Sequence, residues 1–394
     1  MTDAVLALNA GSSSLKFALF RNNGNGEIVP VAKGEIEGTG TAPHFVARDA
    51  KGATLTEKRW PDGANATFES LLGELLGWVD HHLGDDRLIA VGHRVVHGGR
   101  EYTAPVRLTD DILTALDELT PLAPLHQPHS LAPMRAITAL RPGLPQIACF
   151  DTAFHHTMPV VATRFALPRE YEDEGVRHYG FHGLSYEYIS RYLQGAAPQL
   201  AAGRVIVAHL GNGASLCAMR AGRSIDTTMT FTALDGLVMG TRSGTIDPGV
   251  LLYMLQQKHM SPADVEQLLY EKSGLLGVSG LSSDMRVLLA SDLPRAREAV
   301  ELFVFRIARE TAALAASLGG LDGFVFTAGI GEHAPEIRAA VCERMRWLGV
   351  LPGTEPAGSR ISARDSLVEV HVIPTDEEAM IGRHTLETLA AISA

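Results

Sequence analysis

The sequence predicts an α/β protein with mixed sheets, arranged as two domains. Its 394 residues exceed what a single hydrophobic core usually supports. Short apolar runs at 88–96, 146–151 and 323–331 predict strands, and stretches with helical spacing of apolar residues alternate with them. The third observation is a repeated pattern. The strand, Gly-rich turn and strand of VLALNAGSSSLKFALF (5–20) recur 200 residues later in VIVAHLGNGASLCAM (205–219).

The turn in each repeat is rich in small and hydroxyl residues. Two residues are enough to reverse a chain, whereas the first turn uses five or six, which predicts a wide polar hairpin. Backbone N–H groups and serine hydroxyls in such a turn can surround phosphate oxygens, and Lys16 adds a positive charge. The alternative is an ordinary Ser-rich turn, because neither a Walker A loop nor GxGxxG is present. FTAGIGE (326–332) is a third Gly-rich loop, and three such loops favour a nucleotide held between two lobes.

Helices are predicted by periodicity and by capping signals. The apolar spacing indicates helices over 67–83, 298–318 and 375–391. The segment 121–133 is rich in proline and histidine and predicts a structured surface loop or cleft wall. Capping residues are expected at Ser261 with Asp264, at Asp247 before Pro248, and at Thr375 with Glu378.

Composition excludes several classes of protein. A formal charge of −11 argues against nucleic-acid binding, which needs a basic face. No apolar run approaches the roughly 20 residues that span a bilayer, and no basic stretch precedes the first apolar run. Cys149, Cys217 and Cys342 are widely spaced and form no CxxC. These features predict a cytoplasmic protein without a membrane or nucleic-acid partner.

Two arginines and one aspartate are candidates for anion chemistry. Arg94 lies at the end of a predicted strand in GHRVVHGGR, and Arg242 lies in the small-residue loop of LVMGTRSGTIDPG. In an acidic chain they could form a paired guanidinium clamp, or each could be a surface ion-pair residue. Asp151 lies at the end of a predicted strand in CFDTAFHH. It could be a residue of a ligand cleft, or it could simply cap a helix. The 16 histidines raise a metal-dependent hydrolase as an alternative, but HExxH and HxH are absent.

Short blocks of the sequence occur in an order that is typical of one family. They are NAGSSSLKF, GHRVVHGG, CFDTAFH, HYGFHGLS, HLGNGASL, GLVMGTRSG, SGLSSDMR, TAGIGE and IPTDEE, and they extend from residue 9 to 378. The chain therefore resembles the acetate kinase family (acetate, propionate and butyrate kinases) of the actin, heat-shock chaperone and sugar-kinase superfamily. The resemblance implies two ribonuclease H-like (actin-like ATPase) domains with mixed sheets flanked by helices, and an active site in the interdomain cleft. The implied domains are 1–150, completed by the C-terminal helix 380–394, and the nucleotide-binding domain 151–379.

The resemblance also implies residues for the nucleotide and the metal. Asn9 and Glu377 would position Mg²⁺, or Mn²⁺ in its place, and either Glu377 or Glu378 could hold it through water. Residues implied near the phosphates of ATP or ADP are Ser12, Ser14, Lys16, His209, Leu210, Gly211, Asn212 and Gly213. Residues implied around the nucleoside are Asp284, Met285, Arg286, Gly329, Ile330, Gly331, Glu332 and His333.

For the acceptor, the resemblance implies a carboxylate and a small apolar pocket. Arg94 and Arg242 would hold the carboxylate and the transferring phosphoryl group, and His182 would donate to that group in the transition state. Asp151 is the family's acid/base residue. Since carboxyl groups ionise at about pH 4 to 5, acetate hardly needs a base, and we interpret Asp151 as an organiser of metal-bound water or of Arg94. The pocket for the acyl methyl would comprise Val96, Leu125 and Phe181.

Three positions depart from the family pattern. Ala233 stands where proline is usual, which trims one wall of the acceptor pocket and could admit an extra methylene. His333 replaces the usual asparagine near the nucleoside, and Asp376 replaces an asparagine beside Glu377 and adds a negative charge.

The predicted function is reversible, Mg²⁺-dependent transfer of the ATP γ-phosphoryl group to acetate, giving acetyl phosphate and ADP, in a cytoplasmic homodimer. The alternatives are a propionate kinase or another short-chain carboxylate kinase, a sugar kinase, and a non-enzymatic actin-like ATPase. A sugar kinase needs a polar acceptor site, whereas the implied pocket is apolar. A chaperone or filament protein needs a large peptide-binding or polymer-contact region, and no stretch outside the blocks is long enough.

Overall fold

The chain forms two compact units. The structure, a computed structural model, describes residues 2–11, 14–24, 26–38, 42–60 and 66–393. Unit 1 comprises Met1–Ala153 and Asp376–Ala394, and unit 2 comprises Phe154–Thr375. Among the described helices, none combines the length and the apolar character needed to cross a membrane.

Unit 1 contains a mixed sheet. Its strands are β1 (Asp3–Ala10), β2 (Ser14–Asn22), β3 (Ile28–Glu37), β4 (His44–Asp49), β5 (Thr54–Arg59), β6 (Arg87–Val95), β7 (Val106–Arg107) and β8 (Gln146–Phe150). Their order is β5-β4-β3-β2-β1-β6-β8-β7. β1 pairs antiparallel with β2 and parallel with β6, and β6 pairs parallel with β8. The carboxyl ends of β1, β6 and β8 therefore lie at one edge of the sheet.

Helices cover this sheet. They are α1 (Phe68–Leu83), α2 (Asp110–Glu118), α3 (Gln127–Leu140) and α15 (Glu377–Ser393). α1 begins after Thr67, whose side chain accepts from the Ser70 N–H, and it buries a leucine-rich face. α15 returns from the end of the chain and packs against β1 and β6. At Gly92 of β6 an added Cβ would lie 2.1 Å from Thr385 Oγ1, so glycine permits this close packing.

Unit 2 repeats the same core sheet. Its strands are β9 (Arg204–Leu210), β10 (Ala214–Arg220), β11 (Arg223–Thr227), β12 (Gly323–Thr327), β13 (Pro352–Ala357), β14 (Arg360–Ser362) and β15 (Glu369–Val372), in the order β11-β10-β9-β12-β15-β14-β13. β9 pairs antiparallel with β10 and parallel with β12, as β1 does with β2 and β6. The expected α/β class with two mixed sheets flanked by helices is confirmed, and the shared strand order accounts for the sequence repeat.

Helices of unit 2 fill the long connections between strands. They are α4 (Val160–Thr163), α5 (Arg169–Asp173), α6 (Gly183–Ala196), α7 (Pro198–Ala201), α8 (Pro248–Gln256), α9 (Pro262–Glu271), α10 (Gly274–Ser279), α11 (Met285–Leu289), α12 (Pro294–Leu318), α13 (Ala328–His333) and α14 (Pro335–Arg344). α12 runs for 25 residues and packs against β10 and β9, and it ends at Gly319 in a left-handed conformation.

Capping was predicted correctly at two of three helices. The capping box at Ser261 is present, and Asp247 accepts from a backbone N–H of α8. The prediction that Thr375 caps α15 is wrong. Asp376 takes that role, since its carboxylate accepts from the Ala379 N–H (2.8 Å).

The first hairpin is tighter than expected. β1 ends at Ala10, β2 begins at Ser14, and the Gly11 N–H donates to the Ser14 carbonyl (2.8 Å). The prediction of a five- or six-residue turn is therefore wrong, because antiparallel pairing between β1 and β2 continues to Ala10 and Leu15. β9 and β10 are likewise joined by residues 211–213 only.

Two other segments differ from their predictions. The apolar run 323–331 is a strand only to Thr327, because Ala328 adopts φ 64° and opens α13. The segment 121–133 is half helical, since α3 begins at Gln127 with a proline in its first turn, where proline needs no hydrogen-bond partner.

Candidate active site

Three polar side chains meet at the carboxyl edge of the unit 1 sheet. Asn9 is near the end of β1, Arg94 near the end of β6, and Asp151 directly follows β8. Arg94 Nε donates to both carboxylate oxygens of Asp151 (3.1 and 3.0 Å), and its Nη2 donates to Oδ2 (2.6 Å). Arg94 Nη1 also donates to Asn9 Oδ1 (3.2 Å). Asp151 is 1% exposed and Arg94 20%, so a buried carboxylate holds the guanidinium at a partly open edge.

Two glutamates from α15 complete this group. Asn9 Nδ2 donates to Glu377 Oε2 and to Glu378 Oε1, both at 3.0 Å. Both glutamates lie in the first turn of the helix, where the positive end of the helix dipole favours carboxylates. We call these five residues (Asn9, Arg94, Asp151, Glu377 and Glu378) the carboxylate cluster.

The carboxylate cluster has an excess of negative charge. Burial raises the pKa of Glu377, Arg94 lowers it, and the neighbouring carboxylates of Asp151 and Glu378 raise it, so that together these effects bring the pKa to about 7. Burial alone would lower the pKa of Arg94, but the surrounding carboxylates raise it above its ordinary value. Burial also raises the pKa of Asp376, one residue before Glu377. A cation bound here would relieve this charge.

The donors of the carboxylate cluster fit a magnesium ion. Mg²⁺ prefers oxygen ligands and is usually held by one or two carboxylates together with waters and substrate phosphates. The side chains of Glu377, Glu378 and Asn9 carry such oxygens. The two carboxylates lie on either side of the same group, because the Asn9 amide nitrogen donates to both of them. In the described part of the chain no group of three or more His, Cys, Asp and Glu could hold a metal.

The predicted phosphate residues of the first hairpin lie beside this cluster. Lys16 is exposed on β2 directly opposite Asn9, and its charge helps to lower the pKa of Glu377. Ser14 closes the hairpin through its carbonyl. Ser12 lies outside the described residues.

The predicted acyl-pocket residues belong to both units. In unit 1, Val96 follows β6 and is buried, whereas Leu125 is 38% exposed. In unit 2, Phe181 is buried, and the Ala233 carbonyl accepts from Arg242 Nη1 (2.7 Å).

Two stacked imidazoles lie at the second hairpin, in unit 2. His182 precedes α6 and His209 is on β9, and their ring centroids are 4.1 Å apart at an interplanar angle of 14°. The Nδ1 of His182 lies 2.8 Å from Ser215 Oγ, and the Nδ1 of His209 lies 2.9 Å from Ser185 Oγ. Each ring thus has a serine hydroxyl within hydrogen-bond distance of its Nδ1.

Arg242 approaches the same hairpin. A Cβ placed on Gly213 would lie 3.2 Å from Arg242 Nη2 and 3.4 Å from His182 Nε2. Both nitrogen donors therefore face the Gly213 backbone, where a side chain would obstruct them. Two donors converging on a hairpin of small residues form a suitable site for an anion.

A cavity of about 750 Å³ in unit 2 gathers six of the eight residues predicted around the nucleoside, together with two of those predicted near the phosphates. Its lining comprises Gly211, Asn212, Ser283, Asp284, Met285, Arg286, Leu289, Gly329, Ile330, His333, Ala334 and Glu336. The volume is in the usual range for a small-molecule site. Four lining residues were not predicted from the sequence: Ser283 before α11, Leu289 at the end of α11, Ala334 after α13, and Glu336 in α14.

The remaining predicted nucleotide residues lie outside this lining. Leu210 is buried in β9, and Gly331 is buried in α13. The Glu332 carboxylate accepts a hydrogen bond from the Thr375 N–H (3.3 Å), so this side chain connects two segments of unit 2 and does not line the cavity. His209 and Gly213 belong to the stacked-histidine region described above.

Two charged side chains border the cavity. Arg286 pairs with Asp284 through Nε and Nη2 (Nη2–Oδ2 2.6 Å), while the Asp284 carboxylate also accepts from the Arg286 N–H and caps α11. The Arg286 side chain is 90% exposed, and that of His333 is 80% exposed. Both are placed to pack over a ligand rather than beneath it.

Some site residues received no role from the sequence. Ser185 and Ser215 lie within the blocks HYGFHGLS and HLGNGASL, and Tyr186 follows the first of them, but nothing local showed that the serines contact the two histidines or that Tyr186 contacts Ser215. Glu378 was predicted as a capping residue or as one of two candidates to hold Mg²⁺ through water, and its contact with Asn9 depends on how α15 packs on β1.

Comparisons with known proteins agree over the full length of the chain. The sequence model of the Acetokinase family matches residues 4–383. An acetate kinase of Rhodopseudomonas palustris is 54% identical over 391 residues, which cover 98% of each chain. An acetate kinase of Rhizobium meliloti is 48% identical, with 100% of both chains covered.

Solved structures give the same result. The crystal structure of Porphyromonas gingivalis acetate kinase is 36% identical, with a TM-score of 0.83, covering 98% of this chain and 100% of that one. A propionate kinase from Francisella tularensis is also 36% identical, with a TM-score of 0.88 and coverage of 97% and 98%.

Proposed function

The chain belongs to the acetokinase family, and from that premise we propose that it transfers the γ-phosphoryl group of ATP to acetate, giving acetyl phosphate and ADP. The observation that carries the proposal is the 54% identity to an acetate kinase over 98% of both chains. The carboxylate cluster of unit 1 and the cavity of unit 2 supply the donor types that phosphoryl transfer requires.

The cavity of unit 2 supports nucleotide binding. We propose that the adenosine lies among Asp284, Met285, Arg286 and the Gly329–Ile330 turn, and that the phosphates lie at the second hairpin. Asn212 lines the cavity and belongs to that hairpin, so it connects the two regions. On this proposal, unit 2, which lies within 151–379, is the nucleotide-binding domain, and unit 1, which includes 1–150 and 380–394, is the other domain.

The acceptor chemistry is proposed for the arginines and His182. An acetate oxygen attacks the γ-phosphorus as the bond to the β–γ bridging oxygen breaks, and ADP takes the electron pair. Arg94 and Arg242 neutralise charge on the acetate and on the transferring group, and His182 donates a hydrogen bond to it. Acetate is already ionised, so no proton has to be removed. The contacts of Asp151 with Arg94 support its interpretation as an organiser of that guanidinium.

Asn9, Glu377 and Glu378 are proposed to hold Mg²⁺, with Mn²⁺ as an alternative. The bound ion would neutralise charge on the β- and γ-phosphates. Asn9 positions the two glutamates through its amide N–H groups, and Arg94 limits the repulsion between the carboxylates.

One assay separates this function from its alternatives. The purified chain is incubated with ATP, Mg²⁺ and acetate, propionate or butyrate, and the acyl phosphate is trapped with hydroxylamine. We expect acetyl hydroxamate. No hydroxamate from any carboxylate would overturn the proposal in favour of a sugar kinase, an actin-like ATPase or another activity.

A propionate kinase is the second candidate, because a propionate kinase structure has a TM-score of 0.88 with this chain. We expect acetate to remain preferred and propionate to be accepted, since Ala233 lacks the bulk of proline. The Ala233→Pro variant should lower kcat/KM for propionate about tenfold relative to acetate, the discrimination expected for one methylene. A kcat/KM for butyrate comparable to that for acetate would contradict this specificity.

We also propose a homodimer, supported by an exposed apolar helix. α8 has no buried residue, and Leu252 and Tyr253 are 54% and 51% exposed. A second copy covering α8 would remove this apolar surface from water. Light scattering should give twice the chain mass, and Leu252→Asp should shift the population toward monomer. A cytoplasmic location also remains a prediction, and cell fractionation tests it.

A further inference from the structure

A chain of three polar groups extends from the core of unit 2 to His182. The Nδ1 of His182 lies 2.8 Å from Ser215 Oγ, and Ser215 Oγ lies 2.5 Å from the Tyr186 hydroxyl. Ser215 and Tyr186 are fully buried, and His182 is 9% exposed. Water therefore does not compete for these bonds, and they can determine where the imidazole carries its proton.

The start of α6 determines the backbone position of His182, and the neighbouring hydroxyls determine the orientation of its ring. His182 precedes α6 in a left-handed conformation, at φ 58° and ψ 25°. Tyr186 is one turn further along the same helix, and Ser215 lies on β10 directly opposite His209 of β9. One helix and one strand thus bring the two hydroxyls to the Nδ1 side of the ring.

The acidity of the two hydroxyls indicates the direction of the bonds. A phenol, with a pKa near 10, is a stronger donor than an aliphatic hydroxyl, so Tyr186 donates to Ser215 Oγ. Ser215 then has one proton to give, and Nδ1 of His182 is the acceptor within reach. A neutral imidazole that accepts at Nδ1 carries its proton on Nε2.

The other side of the ring favours the same state. His182 Nε2 and Arg242 Nη2 both face Gly213, and the His209 ring is stacked on His182. A doubly protonated His182 would place a second positive charge beside Arg242. A neutral ring with hydrogen on Nε2 still donates toward the space that Arg242 faces and adds no repulsion.

We propose that Tyr186 and Ser215 form a relay that holds His182 in the Nε2–H tautomer, so that His182 donates to the transferring phosphoryl group as a neutral imidazole. Tyr186 and Ser215 are positioning residues, because neither faces the space shared by His182 and Arg242. The proposal deepens the proposed function and rests on it for the identity of the group that receives the hydrogen bond.

The decisive measurement is the ¹⁵N NMR spectrum of the histidine rings in the full-length chain. The His182 signals are assigned by their loss in His182→Gln. In the native protein we expect hydrogen on Nε2 and none on Nδ1. Ser215→Ala should change the Nδ1 signal toward a mixture of tautomers, and Tyr186→Phe should change it less, because the serine proton remains. Hydrogen on Nδ1 in the native protein, or a Ser215→Ala spectrum equal to the native one, would overturn the relay.

Kinetics provide an independent readout. Ser215→Ala should lower kcat about tenfold, with KM values for ATP and acetate within about twofold, because the lost orientation matters in the transition state. Its kcat should also fall on the acid side, where Nδ1 can now take a proton. An unchanged kcat with raised KM values would contradict a positioning role.

Ser185→Ala is the matched control, since it removes the equivalent hydroxyl from His209 Nδ1. It should leave the His182 ring signals in place, and an identical change in both variants would show that the ring responds to packing alone. Circular dichroism verifies folding of each variant. If the native chain forms no acetyl hydroxamate, the proposed function falls, whereas the ring spectrum still decides the tautomer.

Discussion

The Asp151→Asn variant tests how the carboxylate cluster works. The substitution keeps the shape of the side chain and one acceptor oxygen but removes the negative charge. In the native protein this carboxylate accepts three contacts from Arg94, at 2.6, 3.0 and 3.1 Å, and is 1% exposed. Arg94 would then be held mainly by Asn9 and by the charges of the two glutamates.

The size of the effect follows from these contacts. A hydrogen bond to a charged group contributes about 1.5–3 kcal/mol, and the amide oxygen of asparagine retains about 1 kcal/mol of it. Removing one partner of a buried pair costs about 3–5 kcal/mol when the other charge is left alone. Because Arg94 keeps other acidic neighbours, we expect about 2–3 kcal/mol. If that loss falls on the transition state, kcat decreases about 30- to 150-fold.

The assay is kcat for acetyl phosphate formation from about pH 6 to 8.5, at several Mg²⁺ concentrations. An organiser of Arg94 predicts the same fractional loss at each pH well above 7, where Glu377 is ionised both in the native protein and in the variant. Near-native turnover with a greater Mg²⁺ requirement would indicate a role at metal-bound water instead. A single ionisation in the native profile that persists in Glu377→Gln but disappears in Asp151→Asn would refute the reasoning, because it would show proton transfer by Asp151 and not the ionisation of Glu377.

A matched control lies in unit 2. Asp322 pairs with Arg204 in a similar two-pronged way, but the two side chains are 39% and 36% exposed. An exposed ion pair contributes less than about 1 kcal/mol, so Asp322→Asn should leave kcat unchanged and reduce stability only slightly.

Three further predictions follow from packing, burial and capping. Gly240→Ala should raise the KM for ATP about tenfold, because the new Cβ would lie 1.9 Å from Asn212 Oδ1 at the cavity. Gly195→Ala is the control and should leave this KM unchanged, because nothing lies within 4 Å of its new Cβ. Burial lowers the pKa of His155 from 6.5 to about 4, so its contribution to the free energy of unfolding is complete above pH 6.5 and is lost as pH falls toward 4. Urea titrations over that range should show a loss of up to about 3 kcal/mol from this residue, absent in a His155→Gln variant. Asp376→Ala should cost about 1 kcal/mol in the same titration at pH 7, and Asp376→Asn should cost less than half of that, because asparagine also caps helices; equal losses would contradict the capping role.

Local patterns predicted the elements of this fold well because neighbouring residues encode them. Period, cap and turn signals located α1, α9 and seven of the fifteen described strands, since each signal depends on residues within one or two turns; the strands located are β1, β2, β6, β8, β9, β10 and β12. The errors occurred where a distant group decides. The helix after Pro374 begins at Glu377 and is capped by Asp376 rather than Thr375, and the strand predicted over 323–331 ends at Thr327, directly before α13.

The sequence by itself determined which residue types are present for phosphoryl transfer and the order in which they occur along the chain. Small-residue turns, arginines at strand ends and the acidic pair at the start of α15 are visible without a structure. Only the tertiary structure decided which of them act together. Asn9 meets Glu377 across 368 residues, and Arg94 meets Asp151 across 57. Strand order and register determine these contacts, and a shift of one residue would turn each side chain to the opposite face of its sheet.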